Sequence, residues 1–279
     1  MNADSYFTIG STHQVCEDYS LSGGKGDKSF AVMSDGCSGS PRTDFGARFL
    51  SLAMEQILGQ GPRKNLNLLH NDGLALAERM VRNMMDCSQL DFYCLDATLG
   101  YVLSEEDSFR TFLSGDGVIA ARKKNGDKWC AVIEYPSGAP PYMSYSLDKE
   151  RTAFYMKTTN GCPFTIDIHE QTASLDYKKT TLEDEGMHSH VFMFPKDEYD
   201  LVMVMSDGAT SFQKPVSSET SRNFVEVSPV EIVDKLLNVK AAKGEFIKRR
   251  CKRMLKELYQ KGWKHLDDLS VAALHGDES

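Results

Sequence analysis

The pentapeptide Val-Met-Ser-Asp-Gly occurs twice in the chain, at residues 32–36 and again at residues 204–208. Each copy ends an apolar run, which begins at Phe30 in the first case and at Leu201 in the second. Such a run predicts a buried strand. The Asp-Gly pair then places a carboxylate at the edge of a sheet, and the glycine lets a ligand approach the backbone closely. One Asp-Gly is usually a turn, but two identical copies at strand ends predict a shared role for the two aspartates.

Three other acidic motifs follow the same logic. Glu17-Asp18 lies just before the first of these strands, Gly115-Asp116 ends another, and Asp267-Asp268 opens the last one. Carboxylates that meet at strand ends repel one another strongly unless a cation neutralises them. Oxygen ligands without histidine or cysteine select hard ions such as Mg²⁺ or Mn²⁺. On spacing alone, five solvated turns remain an alternative interpretation.

Short apolar runs typical of strands recur along the chain in groups, and segments of helical periodicity separate the groups. The strand-like runs are Phe30–Met33, Phe109–Leu113, Trp129–Ile133, Val191–Phe194, Leu201–Met205 and Leu269–Leu274. Grouped strands favour an α+β fold with largely antiparallel sheets over alternating βαβ units. No long linker divides the sequence, which favours one domain. The polar, turn-rich region of about residues 140–188 has weak periodicity and is interpreted as an insertion.

Four helices are predicted. The first covers about residues 44–58 and the second about residues 72–90. A capping box with proline at the first helical position, Ser228-Pro229-Val230-Glu231, opens the third. The fourth covers about residues 245–260. The predicted apolar face of the first helix consists of Phe45, Phe49, Leu52, Ala53 and Ile57.

Composition limits the function classes. The 279 residues include 32 Lys and Arg against 40 Asp and Glu, for a formal net charge of −8. This balance argues against general nucleic-acid binding, which needs a basic surface to neutralise phosphates. The N-terminal sequence lacks the features of a signal peptide, and no apolar run approaches the roughly 20 residues of a membrane helix. Seven scattered cysteines argue against a disulfide framework. We therefore expect a cytoplasmic protein that binds neither nucleic acid nor membrane.

Taken in order, the acidic motifs resemble those of the metal-dependent type 2C serine/threonine protein phosphatases, in particular bacterial members. The order is Glu17-Asp18, Asp35-Gly36 with Gly39, Gly115-Asp116, Asp207-Gly208 and Asp267-Asp268-Leu269-Ser270. The resemblance implies an α+β fold, a four-layer α-β-β-α sandwich with two central antiparallel sheets. It also implies one domain over residues 1–279 with a flap-like insertion at about residues 143–188.

The resemblance further implies a site for two Mn²⁺ or Mg²⁺ ions, with a third, weaker ion in bacterial members. Asp35 would bridge the two ions. Asp207 and Asp267 would complete the shell of one ion, and Glu17 and the Gly36 carbonyl that of the other. Asp116 would bind the third ion, and Asp18 would hold a metal-bound water. In such a site, a water shared by two ions attacks the phosphorus.

Several positions depart from the family pattern. Gly117 replaces a common serine, and Asp96-Ala97-Thr98 stands where Gly-Ser-Thr is frequent. Two further departures bear on catalysis. Many members carry, near the position of His13, an arginine that grips the substrate phosphate. The usual Asp-Gly-His-Gly-Gly reads Asp35-Gly36-Cys37-Ser38-Gly39 here, so Cys37 replaces the histidine often assigned as general acid. His13 is a candidate for a catalytic contribution beside Asp18 and Asp35. A turn histidine without a role fits the sequence equally well.

These features favour an enzyme that hydrolyses phosphoserine and phosphothreonine on a partner protein, with a cognate Ser/Thr kinase as a further expected partner. The alternative is a pseudophosphatase, a binding or sensor module on the same fold. All the presumed ligand carboxylates are present, which favours the enzyme, because a binding module has no need of their mutual repulsion. The basic run Lys248–Arg253 on the last helix is interpreted as a solvated face, with a docking patch for an acidic partner as the alternative.

Overall fold

The computed structural model describes residues 1–25, 28–60, 66–88, 90–171, 177–216 and 223–276. The strands are β1 (Asn2–Thr8), β2 (Asp18–Gly23), β3 (Phe30–Gly36), β4 (Ala97–Ser104), β5 (Ser108–Ser114), β6 (Gly117–Lys123), β7 (Lys128–Glu134), β8 (Pro163–Gln171), β9 (Tyr177–Glu185), β10 (Ser189–Pro195), β11 (Tyr199–Met205), β12 (Phe212–Pro215), β13 (Phe224–Glu226), β14 (Lys264–His265) and β15 (Leu269–His275). The α-helices are α1 (Thr43–Leu58), α2 (Leu66–Ser88), α3 (Lys149–Thr158), α4 (Pro229–Leu237) and α5 (Phe246–Gln260). Short 3₁₀ helices cover Phe92–Leu95, Met143–Leu147 and Asp207–Thr210.

Two antiparallel sheets form the centre of the molecule. In the described part of the chain, one sheet has the order β1-β15-β11-β6-β7-β8-β9 and the other β10-β5-β4-β3-β2, while β13-β12-β14 form a small third sheet. Helices α4 and α5 pack on the outer face of the first sheet, and α1 and α2 on the outer face of the second. A third core lies between the two sheets. The prediction of a four-layer α-β-β-α sandwich is confirmed.

The central strands read as continuous apolar runs because both of their faces are covered. In β3, Ala31 and Met33 belong to the core between the sheets, whereas Phe30 and Val32 belong to the core beneath α1 and α2. Successive side chains of a strand point to opposite faces, so each core receives every second residue. This double burial fixes the register of β3 and hence the position of Asp35 at its end.

The predicted apolar face of α1 is wrong in part. Phe45 is 40% exposed and Leu52 37% exposed. The hydrophobic residues that α1 buries are Ala47, Leu50, Ala53, Met54, Ile57 and Leu58. This face also contains the point at which α1 approaches a neighbouring segment of backbone most closely. A Cβ atom at Gly46 would lie 1.6 Å from the carbonyl oxygen of Cys94, so the helix meets the neighbouring backbone at a position without a side chain.

The other predicted helices are present with small differences. Helix α2 begins at Leu66 rather than at about residue 72, and α4 begins at Pro229 as predicted. Ser228 makes no side-chain capping hydrogen bond, because the N–H of Glu231 donates instead to the backbone carbonyl of Ser228, at 2.9 Å. The Glu231 carboxylate pairs with lysines rather than completing the capping box. In the described residues, no helix combines the length and the apolar character needed to cross a bilayer.

The polar region of about residues 140–188 contains regular structure that was not predicted. It forms a 3₁₀ helix, α3 and the hairpin of β8 and β9, and β8 pairs with β7 at the edge of the large sheet. Periodicity is weak because β9 is exposed at nearly every position. β8, by contrast, buries Phe164 and Ile166 in the core between the sheets, so packing positions β8 and strand pairing with β8 positions β9.

Gly46→Ala tests the close approach of α1. Alanine favours a helix over glycine by about 0.5–1 kcal/mol, but overpacking against a backbone carbonyl costs about 1–3 kcal/mol. We expect a net decrease in the free energy of unfolding, measured by urea titration. The control is Gly59→Ala at the exposed C-terminal end of α1, where φ is −62°; it should change stability by less than about 0.5 kcal/mol. Equal stability of the two variants would contradict the packing argument.

Candidate active site

Two acidic residues of the five-stranded sheet are brought together by strand pairing. In an antiparallel sheet the start of one strand lies beside the end of its neighbour. Asp18 at the start of β2 is the direct cross-strand partner of Asp35 near the end of β3. Glu17 precedes Asp18, and its backbone carbonyl accepts a hydrogen bond of 3.2 Å from the N–H of Gly36. The first and second sequence motifs thus share one sheet edge.

The seven-stranded sheet brings the other three acidic motifs to the same end of the sandwich. Met205 at the end of β11 pairs with Val118 near the start of β6 and with Val271 near the start of β15. The residues next to these strand ends are Asp207 after β11, Asp116 before β6 and Asp267 before β15. All five predicted acidic motifs therefore meet at one end of the two sheets.

The electrostatics show how closely these carboxylates approach. The pKa of Asp35 lies well above its ordinary value, first because of burial and then because of the charges of Asp18, Asp207, Asp116 and Asp267, in falling order. Burial, followed by the charges of Asp116, Asp267 and Asp18, also raises the pKa of Asp207 well above its ordinary range. Burial raises the pKa of Asp116. The group is a cluster of anions that protonation or a cation must neutralise.

Asp18 is the most buried member of the cluster, with 1% of its surface exposed. Burial raises its pKa to about 7. The hydroxyl of Ser206 donates a hydrogen bond of 2.8 Å to its Oδ2, while Oδ1 is buried with no hydrogen-bond partner in the described structure. Ser206 in turn accepts a hydrogen bond of 2.9 Å from the N–H of Ser270. One carboxylate oxygen is therefore anchored and the other is left as an acceptor.

Sequence analysis did not assign Ser206 a role, although the repeated pentapeptide contains it. The serine of the first copy, Ser34, is also fully buried and donates a hydrogen bond of 2.8 Å to the carbonyl oxygen of Thr98. Both serines thus tie a strand end to its surroundings. Both copies of the pentapeptide have serine before the aspartate, and this repetition was the sequence signal that could have identified the two serines.

Threonine hydroxyls hold two more carboxylates. Thr98 donates a hydrogen bond of 3.1 Å to Asp116, and Thr43 donates one of 3.0 Å to Glu17. Burial raises the pKa of Glu17, and the Thr43 hydroxyl and His13 oppose that rise. Neutral donors orient these side chains without cancelling their charge, so the cluster retains its need for a cation.

Asp268 organises the loop that carries Glu17. Its side chain is 2% exposed and accepts hydrogen bonds from the backbone N–H groups of Gly10, at 2.7 Å, and Glu17, at 2.6 Å. Its backbone carbonyl would lie 1.7 Å from a Cβ atom at Gly208. The glycine of the second Asp-Gly pair is therefore required by packing against the chain itself, a reason that the sequence motif did not predict.

His13 lies among the acidic residues of this loop. Its Nε2 is 3.1 Å from Oδ1 of Asp267, and its Nδ1 is 3.3 Å from Oδ2 of Asp268 and 3.9 Å from Oε2 of Glu17. The imidazole is thus held at the rim of the site, where one-fifth of its side chain is exposed.

A buried ion pair attaches the segment of residues 143–158 next to the site. Asp96 is fully buried and accepts two hydrogen bonds from the guanidinium of Arg151, one from Ser144 at 2.6 Å and one from Ser40 at 2.7 Å. The backbone carbonyl of Asp96 accepts a hydrogen bond of 2.9 Å from the N–H of Cys37. Asp96 therefore joins the 3₁₀ helix and α3 to the loop that follows Asp35, a connection that sequence analysis missed.

The fold and this cluster belong to a defined class of proteins. A family model described as protein phosphatase 2C matches residues 10–153, and the chain belongs to that family. The predicted family and enzyme class, serine/threonine phosphoprotein phosphatase, are confirmed. At the level of sequence, no curated protein matches the chain.

Solved structures of bacterial phosphatases share the fold. The serine/threonine phosphatase Stp1 from Staphylococcus aureus is 13% identical, with a TM-score of 0.56 over 100% of this chain and 96% of the other. The S. agalactiae serine/threonine phosphatase is 12% identical, with a TM-score of 0.54 over 99% of both chains. The Mycobacterium tuberculosis serine/threonine phosphatase PstP/Ppp is 13% identical, with a TM-score of 0.51 over 99% of this chain and 98% of the other. At these identities the likeness establishes the fold.

Protein phosphatase 2C enzymes in general depend on Mg²⁺ or Mn²⁺, and the donor set here fits such ions. The cluster offers carboxylate oxygens, which hard divalent cations prefer, and one buried oxygen of Asp18 has no partner. Among the described residues, no three His, Cys, Asp or Glu side chains already surround one point in coordination geometry. An ion of the Mg²⁺ type needs only one or two protein carboxylates, because it retains several waters.

The repulsion in the cluster predicts an unusual pH dependence of stability. The folded-state pKa of Asp35 lies well above its ordinary value, so the folded protein retains a proton that the unfolded chain releases above about pH 4. In EDTA, the free energy of unfolding of the wild type should therefore fall, as pH rises from 5 to 8, relative to that of the Asp35→Asn variant. Urea titrations of both proteins across this range measure the difference, in which contributions from histidines cancel. A constant difference would show that Asp35 is not strained by its neighbours.

Proposed function

We propose that the chain hydrolyses phosphoserine and phosphothreonine monoesters of a partner protein at the carboxylate cluster, with divalent cations bound there. The observation that carries the proposal is the strand pairing that brings the five acidic motifs to one end of the two sheets. Burial and the charges of four other carboxylates accordingly raise the pKa of Asp35. Anions crowded in this way destabilise a fold. A cluster of this kind, lined by oxygen donors, is suited to cation-assisted phosphoryl chemistry.

The proposed ligands follow the acidic motifs. Asp35, which lies between the two sheets' acidic groups, would bridge two ions. Asp207 and Asp267 would serve one of them, and Glu17 with the Gly36 carbonyl the other. Asp116, which Thr98 orients, would bind a third, weaker ion.

Bound cations would supply the positive charge that phosphoryl oxygens need and would lower the pKa of water. The residues of the chain provide position and proton handling. Asp18 is anchored through Ser206, and its free oxygen Oδ1 could accept a hydrogen bond from the attacking water and so orient it. His13, at the rim of the site, would contact the substrate phosphate from the side of Asp267.

We propose residues 1–279 as a single catalytic domain, in which the segment of about residues 143–188 forms a flap beside the site. The ion pair of Arg151 with Asp96 supports this position. A Ser/Thr kinase would supply the phosphorylated partner, because the substrate is a phosphate ester of those side chains. Cytoplasmic localisation stays a prediction.

Metal dependence is tested with Asp35→Asn and Asp207→Asn. An amide fits the space of a carboxylate but cannot balance a divalent cation. We expect turnover of p-nitrophenyl phosphate to require Mn²⁺ or Mg²⁺ and to stop in EDTA. Each variant should lose activity by at least about 100-fold and bind Mn²⁺ more weakly in calorimetric titration.

The matched control is Asp127→Asn, in the hairpin at the opposite end of β6 and β7, which should retain normal activity. Full activity of all three variants at saturating metal would show that the cluster is not the metal site. Normal Mn²⁺ binding without turnover of any phosphate ester would instead favour the pseudophosphatase.

The leaving group provides a second test, because Cys37 occupies the position of the family's histidine. A serine alkoxide needs a proton in the transition state, whereas p-nitrophenolate does not, and a positioned general acid contributes about 10²–10⁴-fold. Cys37→His should raise kcat/KM for a phosphoserine peptide by more than ~10-fold and leave that for p-nitrophenyl phosphate within a few-fold. Cys37→Ala controls for loss of the thiol. Equal changes for both substrates would place Cys37 away from the leaving group.

A further inference from the structure

A cavity rich in positive charge lies at the C-terminal part of the chain. It has a volume of about 440 Å³ and is formed by α5 and the loop after α4. Its charged lining residues are Lys240, Arg249, Arg250, Lys252 and Arg253. No carboxylate is among the described residues that line it. The chain has a net charge of −8, so its overall composition does not account for this local concentration of cations.

Two of these arginines are held in place by backbone carbonyls. Arg249 donates a hydrogen bond of 2.7 Å to the carbonyl oxygen of Lys243, and Nε of Arg250 donates to that of Lys235. Burial lowers the pKa of Arg250, and the charge of Arg253 acts in the same direction while Glu257 opposes it. The guanidinium groups are therefore fixed and crowded, and they retain donors for an anion.

The other two cations that α5 contributes to the cavity, Lys252 and Arg253, are exposed. Among the residues that the structure describes, Lys252 and Arg253 form no salt bridge with a carboxylate within 4.0 Å. Glu245, at the start of α5, is paired with Lys248, which does not line the cavity. Glu257 and Asp234, by contrast, act on Arg250 through their charges. Lys252 and Arg253 can therefore turn toward a ligand without breaking an ion pair.

The cavity is remote from the carboxylate cluster. Within β11, Asp200 and Met205 are five residues apart, which at about 3.3 Å per residue is ~17 Å, and Asp207 lies just beyond Met205. At the Asp200 end, Arg122 forms an ion pair with Asp200 and donates hydrogen bonds to the backbone carbonyls of Leu237 and Val239. Val239 lines the cavity. The cavity therefore lies at the opposite end of the sandwich from Asp207 and does not take part in the phosphoryl chemistry.

We propose that this cavity is a docking site for an acidic segment of a protein substrate. Five cations on two elements suit a row of carboxylates better than one small anion, and guanidinium groups bind carboxylates in a bidentate manner. The role of the segment as part of a substrate rests on the proposed function. Because at least ~17 Å must be spanned at about 3.3 Å per residue, the acidic segment lies at least ~5 residues from the phosphorylated one.

Binding is tested without turnover, by fluorescence anisotropy of a labelled deca-glutamate peptide in EDTA. Lys252→Glu/Arg253→Glu should weaken binding by at least ~10-fold. Added salt should raise the apparent Kd of the wild type, because it screens the attraction between the cations and the peptide. The matched control is Lys256→Glu/Lys261→Glu, the same charge change on exposed residues of α5 and its C-terminal end outside the cavity. Equal weakening in both double variants, or no binding to the wild type, would overturn the proposal. Tighter binding of a thymidine decamer than of the peptide would also overturn it.

Turnover tests the link to the substrate. A phosphoserine peptide with an acidic tract 12 residues away should show a higher kcat/KM than one with the tract 2 residues away, and Lys252→Glu/Arg253→Glu should remove the difference. Hydrolysis of p-nitrophenyl phosphate should stay unchanged in that variant. Equal kcat/KM for the two peptides in an active wild type would overturn the docking role. Absence of turnover with every substrate would refute the proposed function, while the anisotropy result would still decide the docking site.

Discussion

Repulsion among carboxylates from separate strands is the constraint on which the site end of the sandwich depends. Asp18 and Asp35 are direct cross-strand partners, an arrangement in which like charges destabilise a sheet. Asp207 adds its charge from the facing sheet. Burial of both faces of β3 and β11 fixes their registers, so the acidic residues cannot move apart by a shift of the strands. The hydrophobic cores therefore provide the stability that holds this unfavourable arrangement together.

Hydrogen bonding distinguishes two kinds of buried carboxylate at this end of the molecule. Asp96 is saturated by Arg151, Ser40 and Ser144, and Asp268 accepts two backbone N–H groups. The oxygens of both carboxylates have hydrogen-bond donors, which is typical of residues that stabilise a fold. Asp18, by contrast, keeps one oxygen without a partner. Buried polar groups left in this state are expected where a ligand completes them.

The charges of the molecule are separated along the strands. The acidic cluster lies at the Asp207 end of β11, and the cationic cavity lies beyond the Asp200 end. At the acidic end, the proposed function has negative charge select cations and, through them, phosphate. At the other end, positive charge selects acidic groups directly. The molecule thus carries surfaces of opposite sign at the two ends of β11.

The sequence by itself predicted several of the buried strands and the order of the acidic motifs, because double burial gives continuous apolar runs and acidic pairs or Asp-Gly mark the strand ends at the site. It also predicted the start of α4 from Pro229. It did not predict β4 or β6, although both lie in the middle of their sheets. Only the tertiary structure decided which side of α1 is buried, because the contact of Gly46 with the backbone of Cys94 depends on a residue distant in sequence. The same holds for Ser206 on Asp18 and for Arg151 on Asp96, since these bonds join segments that no local pattern relates. Periodicity reports a residue's own element, whereas close packing and buried hydrogen bonds are properties of pairs.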